Sequence, residues 1–321
     1  LKQSIATKNE TLNSSNYINE DSEKKLAYDN AVSEAEQLLN QQNNPTMDKD
    51  VINAVTEKVN NARNDLNGAD KLVQNQTESN AVINQLPNLN EKQKQALNEL
   101  INNSTSKQKV AEIIAQANEL NNEMGRLKTL VDEQPTVHQQ SNYSNEDENI
   151  QNTYDNAIHK GQDIINGNDD VLNINKISDA IQNIELAKSN LHGEQKLQQA
   201  QQEANNEIDH LSNLNDSQKQ GEHNEINTAP SRAEVVNDLN NAKALNEAMR
   251  QLENEVRLEN NIKQTSNYIN EDEDPQNAYN NALQKAKDII NAVPDGTLDK
   301  ATVEQILTEL QQAKDALHGE Q

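Results

Sequence analysis

The tripeptide Ser-Asn-Tyr occurs three times, ending at Tyr17, Tyr143 and Tyr268, so that its copies lie 126 and 125 residues apart. An acidic segment follows each copy: Asn19-Glu20-Asp21, Asn145-Glu146-Asp147 and Asn270-Glu271-Asp272. A second tyrosine comes 11 positions after the first in every copy, at Tyr28, Tyr154 and Tyr279, and these six are all the tyrosines in the chain. Leu66-Asn67-Gly68, Leu191-His192-Gly193 and Leu317-His318-Gly319 close the same unit. Self-similarity at a fixed period means that each repeat is one supersecondary unit, too small to bury its apolar face alone.

Inside the unit the apolar residues step by three and four. One stripe carries Tyr28, Ala31, Val32, Ala35, Leu38 and Leu39, with copies at Tyr154, Ala157, Ile158, Gly161, Ile164, Ile165 and at Tyr279, Ala282, Leu283, Ala286, Ile289, Ile290. A second stripe reads Ile52, Val55, Val59, Ala62, Leu66, with copies at Ile177, Ala180, Ile184, Ala187, Leu191 and at Val303, Ile306, Leu310, Ala313, Leu317. That period is helical. The polar connections contain Asn44-Pro45, Asn166-Gly167 or Pro294-Asp295-Gly296 and therefore turn. Asn19-Glu20-Asp21 and its copies have the form of an N-cap followed by acidic first-turn residues. Two helices bury too little, and Leu1 and Ile5, Leu127 and Val131, Leu252 and Val256 recur in register before the first tyrosine. The spacing predicts that the end of the preceding helix is the third member of a short bundle.

A second kind of unit lies between the short ones and occurs twice. Ala62, Leu66, Ala69, Leu72 and Val73 keep one helical phase, which predicts a single helix from near Asp48 to Leu86, about 58 Å long at 1.5 Å per residue. Gly68 within it would cost about 1 kcal/mol. The competing reading makes Gly68 a helix C-cap. Leu89-Asn90-Glu91 opens a short helix to about Asn102, and Ser104-Thr105-Ser106 (Ala229-Pro230-Ser231 in the second copy) is the next turn. Val110, Ile113, Ile114, Ala117, Leu120, Met124 and Leu127 mark a long third helix. Pro135 is expected to stop it, whereas the second copy lacks that proline and is expected to run on toward Ile262. The expected fold is all-α: an elongated rod of alternating short and long three-helix bundles joined by long shared helices. The divisions are 1–13 (the tail helix of a preceding repeat), 14–68, 69–140, 141–193, 194–264 and 265–321. Continuity at Gly68, Gly193 and Pro135 stays open.

Composition agrees with thin bundles. The chain has 32% hydrophobic residues and no Cys, Trp or Phe, so cores must be built from aliphatic residues and tyrosine. Small side chains let helix axes approach to about 8–10 Å. The absence of Cys excludes disulfides and thiolate metal sites. A net charge of −25 weighs against nucleic acid and against direct contact with anionic membranes. No run approaches the roughly 18 apolar residues of a membrane span. The N-terminus, Leu1-Lys-Gln-Ser-Ile5, has neither a Met nor the form of a signal peptide, and the chain reads as a piece of something longer.

The unit with Ser-Asn-Tyr, the second tyrosine and the closing Leu-x-Gly resembles the FIVAR module of Gram-positive surface proteins. The unit with Leu89-Asn90-Glu91-Lys92-Gln93-Lys94, Ile101-Asn102-Asn103-Ser104-Thr105, Val110 and Leu120-Asn121-Asn122-Glu123-Met124 resembles a GA module, a three-helix unit related to bacterial albumin-binding domains. Their alternation covers essentially the whole chain and is similar to the giant matrix-binding surface proteins of staphylococci. The resemblance implies a monomeric, extracellular, cell-wall-associated adhesin anchored elsewhere in its polypeptide. Its implied partner is a host matrix protein such as fibronectin, with serum albumin as the alternative and a pure spacer as the third reading. One departure stands out: Ala96, Leu97 and Leu100 of the first GA-like unit become Gly221, Glu222 and Glu225 in the second. A shorter or looser middle helix is expected there, with weaker hydrogen-exchange protection at 215–227 than at 90–102.

No residue set in the sequence points to chemistry, and no enzyme activity is expected. His138, His159, His192, His210, His223 and His318 lack the spacing of a helical metal pair. The runs Glu20-Asp21, Glu146-Asp147-Glu148 and Glu271-Asp272-Glu273-Asp274, with Asn168-Asp169-Asp170 and Asp295-Gly296, lack the alternating ligands of a calcium loop and read as solvated helix starts. Paired carboxylates need a pocket that shifts their pKa, which narrow bundles do not offer. Tyr28 on its apolar stripe and Tyr17 at a helix start read as packing residues rather than binding hot spots. Catalytic, cofactor-binding and metal-ligating residues are expected to be none, no cofactor is implied, and the partner-binding residues are unknown from the sequence.

Overall fold

The computed structural model describes residues 1–168 and 172–319. Among them every regular element is a helix. The twelve long ones are α1 (Ser22–Leu39), α2 (Lys49–Asn64), α3 (Gly68–Gln85), α4 (Glu91–Asn102), α5 (Lys107–Asp132), α6 (Glu148–Ile165), α7 (Ile174–Ser189), α8 (Gly193–Asp209), α9 (Asp216–Thr228), α10 (Arg232–Val256), α11 (Glu273–Ile290) and α12 (Lys300–Asp315). One-turn pieces lie between them, among them the Ser-Asn-Tyr segments Ser15–Ile18, Ser141–Ser144 and Ser266–Ile269. The residues form two compact units: 1–134 with 154–187, and 135–153 with 188–321.

In the first unit, α1 and α2 close on Tyr28, Ala31, Val32, Ala35, Val55, Val59 and Leu66, all buried, with Leu1, Ile5, Leu12 and Tyr17 packed against them. The expected third member of the short bundle is therefore present. Helices α3, α4 and the first half of α5 form the next bundle, burying Leu72, Ile83, Leu97, Ile101, Val110, Ile113 and Ala117. The second half of α5 turns to another partner. Leu127 and Val131 lie against Gly161 of α6 and Ile184 of α7, at 3.1–3.2 Å from where a Cβ at Gly161 would stand.

The second unit repeats this plan. Ala204, Ile208, Ile226, Ala229, Val235 and Ala242 form the core of α8, α9 and the start of α10. Further along α10, Leu245, Ala248, Met249 and Leu252 pack with Tyr279, Ala282, Leu283 and Ala286 of α11 and Val303, Leu307 and Leu310 of α12. Helices α5 and α10 are thus the shared helices, each giving one stretch of its apolar stripe to a long bundle and the next to a short one.

The shared element is not the one expected around Gly68. No helix runs from Asp48 to Leu86: α2 ends at Asn64 with Asp65 as its C-cap, and Gly68 is the first residue of α3. The glycine is there for space. A Cβ at Gly68 would sit 2.5 Å from the Asn16 carbonyl oxygen and from the Glu20 nitrogen. Gly193 opens α8 in the same way, 2.5 Å from the Ser141 carbonyl oxygen. Pro135 is not the cause of the stop after α5 either. The second copy, without a proline, ends α10 at Val256 and resumes as Glu259–Lys263, so it does not run unbroken toward Ile262. The tail before the first hairpin breaks at the equivalent Thr7, where the Arg63 guanidinium donates to the Ser4 carbonyl at 3.2 Å and to Thr7 Oγ1 at 2.7 Å.

Helix α9 is not shorter than its counterpart, having 13 residues against 12 in α4. Its lost stripe is partly replaced from outside: the Leu298 side chain reaches within 2.9 Å of where a Cβ at Gly221 would stand. Glu222, at the place of Leu97, is nonetheless buried.

Candidate functional site

The recurrent polar residues assemble at the junctions between helical units. In the first copy, Ser14 caps the Ser15–Ile18 turn, its hydroxyl accepting from the Tyr17 amide at 3.4 Å. That turn delivers Asn19 and Glu20 to a buried position, 2% and 4% exposed, although both are polar. Asn19 uses both ends of its amide on a segment more than eighty residues away. Its Nδ2 donates to the Thr105 carbonyl at 3.1 Å, and its Oδ1 accepts from the Lys107 amide at 2.8 Å. The start of α5 is thereby tied to the start of α1. Glu20 Oε2 accepts from the Asn67 amide at 2.6 Å, while Oε1 accepts from the Asp21 amide at 2.8 Å and pairs with Lys71 of α3. Asn16 Oδ1 takes the Ala69 amide at 3.1 Å. The unpaired amides at the start of α3 are met by side chains from the preceding unit.

Burial pushes the Glu20 carboxyl up, but the hydrogen bonds from Lys71 and from the Asn67 and Asp21 amides outweigh it and bring the group down to about 2. Glu146 is held low by the same balance, with Lys196 and the Asp147 and His192 amides opposing burial. Its copy of the junction matches in detail. Asn145 donates to the Pro230 carbonyl at 3.2 Å and accepts from the Arg232 amide at 2.9 Å, and the Arg232 guanidinium adds 2.8 Å to Asp147. In the third copy Glu271 accepts from the His318 and Asp272 amides, which hold its carboxyl low, whereas Asn270 is exposed.

A second junction is built on Asn90 and Asn215. Asn90 caps α4 in a reciprocal box with Gln93, at 2.9 and 3.0 Å. The amide nitrogen of the same side chain reaches the Ile164 and Ile165 carbonyls at the end of α6, at 3.3 and 3.4 Å. Lys92 Nζ adds 2.8 Å to the Gly167 carbonyl. Asn215 repeats this toward Ile289 and Ile290, both at 3.3 Å, with Gln218 as its box partner. One asparagine therefore caps the N-terminus of its own helix and the C-terminus of another.

The sequence motifs fall into place around these junctions. The N-cap of α1 is Asp21, not Asn19, which terminates the preceding turn. Glu20 and Glu146 are not solvated helix-start residues; each is buried in a junction because it meets three donors there. Tyr28, Tyr154 and Tyr279 are at most 1% exposed, on the apolar cores of their hairpins. Tyr17 packs edge-on to Tyr28 with centroids 6.0 Å apart, and its hydroxyl donates to Asp29 at 2.9 Å. Burial first, and Asp29 second, push Tyr17 up to about 12. His223 bridges α9 to α8 through Asn205 at 2.7 Å and Asp209 at 2.9 Å, and His138 stacks on Tyr143. Asp169 and Asp170 lie outside the described residues. Among the described residues no group of three His, Asp or Glu could hold a metal ion, and no helix is long and apolar enough to cross a membrane. The junction role of Asn19, Asn90 and their copies escapes sequence inspection, although the repeated Asn-x-x-Gln spacing at Asn90–Gln93 and Asn215–Gln218 is a capping-box signal.

Hairpins alternating with three-helix units, latched through buried Asn and Glu side chains, define a helical repeat array. The model of the FIVAR domain matches residues 1–67, 123–192 and 248–318, and that of the GA module matches 69–123 and 194–248. The chain belongs to the FIVAR domain family, with GA modules set between its FIVAR units. The matched segments meet at residues 123 and 248, inside α5 and α10. The chain is 43% identical along its whole length to the extracellular matrix-binding protein EbhA of Staphylococcus aureus strain N315, and 42% identical to the extracellular matrix-binding protein ebh of strain MRSA252. It spans only 5% and 3% of those proteins. A crystal structure of an EbhA domain from Staphylococcus aureus, residues 756–1003, superposes with a TM-score of 0.68 at 26% identity, covering 75% of this chain and 97% of that one.

Proposed function

We propose that this chain is a segment of a cell-wall-associated surface adhesin of a Gram-positive bacterium, acting by repeated contact with a host matrix protein of the fibronectin type and without catalysis. The observation that carries this reading is the repetition of both kinds of unit, three times for one and twice for the other, in a chain 43% identical throughout to a protein named for binding extracellular matrix. Repetition of a contact along one chain raises avidity without any new interaction, because each later binding event is intramolecular. The functional parts would be 14–68, 141–193 and 265–321 as FIVAR units, 69–140 and 194–264 as GA units, and 1–13 as the tail of a further repeat.

Serum albumin is the weaker alternative. The middle helix of the first GA unit has little free apolar surface near its start: Gln93 is buried in its capping box, and Asn90 and Lys92 are committed to the end of α6. Immobilised fibronectin and serum albumin, each titrated with the 321-residue chain, separate the readings. Fibronectin binding whose dissociation slows as surface density rises is the expected result. Albumin binding alone would replace this reading with the albumin one, and binding to neither would leave a spacer.

A further inference from the structure

At one buried place the second GA unit is acidic where the first is apolar. Leu97 and Ile113, 2% and 3% exposed, face the core of the first unit. In the second, their positions are taken by Glu222 on α9 and Asp238 on α10, and exposed Leu100 by Glu225. Glu222 is 4% exposed and has no hydrogen-bond partner among the described residues. The segment before α12 packs on the neighbouring residues of α9. Leu298 packs onto Gly221, Gln218 Nε2 donates to the Thr297 carbonyl at 2.9 Å, and Gly296 lies against Ser217.

The ionisable groups on every packed element leave the carboxyl without a counter-charge. On α9, Glu225 is acidic, Lys219 donates to the Asp209 carbonyl at 3.0 Å, and His223 is held by Asn205 and Asp209. On α8, Glu207 pairs with Lys243 of α10 at 2.5 Å, and Asp209 is the His223 partner. On α10, Asp238 repels Glu222, and Arg232 is turned to Asp147. The covering segment brings Asp295 and Asp299, and Lys300, which follows it, pairs with Glu304 at 3.0 Å. An ionised carboxylate buried without a partner is costly, so a group so placed either binds a proton or opens its surroundings to water.

We propose that Glu222 makes the contact between α9 and the 296–298 segment a proton-controlled joint, closed when the carboxyl is neutral and loosened when it ionises. Desolvation, with Glu225 and Asp238 adding to it, pushes the carboxyl up to about 7, which sets the working range. The sign follows from proton uptake. Between the ordinary carboxylate value near 4.5 and about 7 the closed form holds a proton that the open form has lost, so closure weakens as pH rises through this window. The first GA unit, with Leu97, lacks the device.

Hydrogen exchange of the full chain at pH 5 and pH 8, corrected for intrinsic exchange rates, tests this. Protection at 215–228 and 294–300 is expected to fall at least about tenfold from pH 5 to pH 8, one pKa unit or more of the linkage, while 90–102 keeps its protection. Glu222→Gln, which cannot ionise, and Glu222→Leu, which restores the residue of the first unit, are each expected to abolish most of the fall. His223→Gln is expected to retain it. Equal protection at both pH values, or a fall that survives in Glu222→Gln, overturns the proposal; a fall lost in His223→Gln but kept in Glu222→Gln assigns it to the histidine instead.

Discussion

Single residues here are chosen as much by hydrogen-bond accounting as by hydrophobicity. Tyr28 is fully buried, yet its hydroxyl has no partner among the described residues. Its ring fills the first hairpin while its oxygen remains desolvated and unpaired. Tyr28→Phe is therefore expected to stabilise that hairpin by about 1 kcal/mol, whereas Tyr28→Ala should cost about 3–5 kcal/mol. Urea unfolding followed by exchange in α1 and α2 measures both. Asn19 gives a matched comparison. Asn19→Ala removes a side chain that bridges Thr105 and Lys107 from a buried site and is expected to cost about 1–2 kcal/mol, read as faster exchange at 103–110. Asn270→Ala, at an exposed copy, should change stability by less than about 0.5 kcal/mol.

At the scale of the element, start and stop signals were legible where the chemistry is local. Asp48 caps α2 through the Asp50 amide at 2.9 Å, and Ser106 caps α5 through the Lys109 amide at 3.2 Å, as short polar residues before apolar stripes suggest. The break before Gly68 was legible only as the competing reading, and there with Gly68 as the C-cap in place of Asp65, because the phase of Ala62, Leu66, Ala69 and Leu72 passes through it unchanged. The cause is the backbone of the Ser15–Ile18 turn pressed against that glycine, a contact some fifty residues distant in sequence. Helix propensity alone favours Gly68→Ala, by less than the roughly 1 kcal/mol of a helix interior because Gly68 opens α3. The expected result is the opposite, a loss of about 1–3 kcal/mol from forced separation of α3 and the turn, with Gly193→Ala behaving alike. Thermal unfolding of the two variants checks the sign.

At the scale of the whole molecule, the net charge of −25 coexists with carboxylates that hold the units together. Glu20 has its folded value depressed to about 2, so its contribution is complete above the ordinary value of 4.5 and is lost as pH falls through about 2. Acid is therefore expected to open the junctions at Glu20 and Glu146 below about pH 4.5, with the first contributing about 1–3 kcal/mol. Glu222 works in the opposite direction over 4.5 to about 7. Exchange at 65–72 and 190–197 should accordingly rise on going from pH 5 to pH 3, while 215–228 shows no such loss. Equal exchange at both acidities in the first two segments would remove the buried glutamates from the account.

The sequence alone determined the repeat, the helical class, the hairpin stripes and most caps, since each is set by residues within one or two turns of each other. It also carried the family resemblance, through motifs that recur with the period. Tertiary structure alone decided which residues join the units. Asn19 and Asn90 look like ordinary turn and cap residues until the chain returns, 86 and 74 residues later, to offer them backbone groups. A side chain's local propensity is written in its neighbours. The partner of a buried polar group is written only in the packing, because it is the loss of water there that makes the partner necessary.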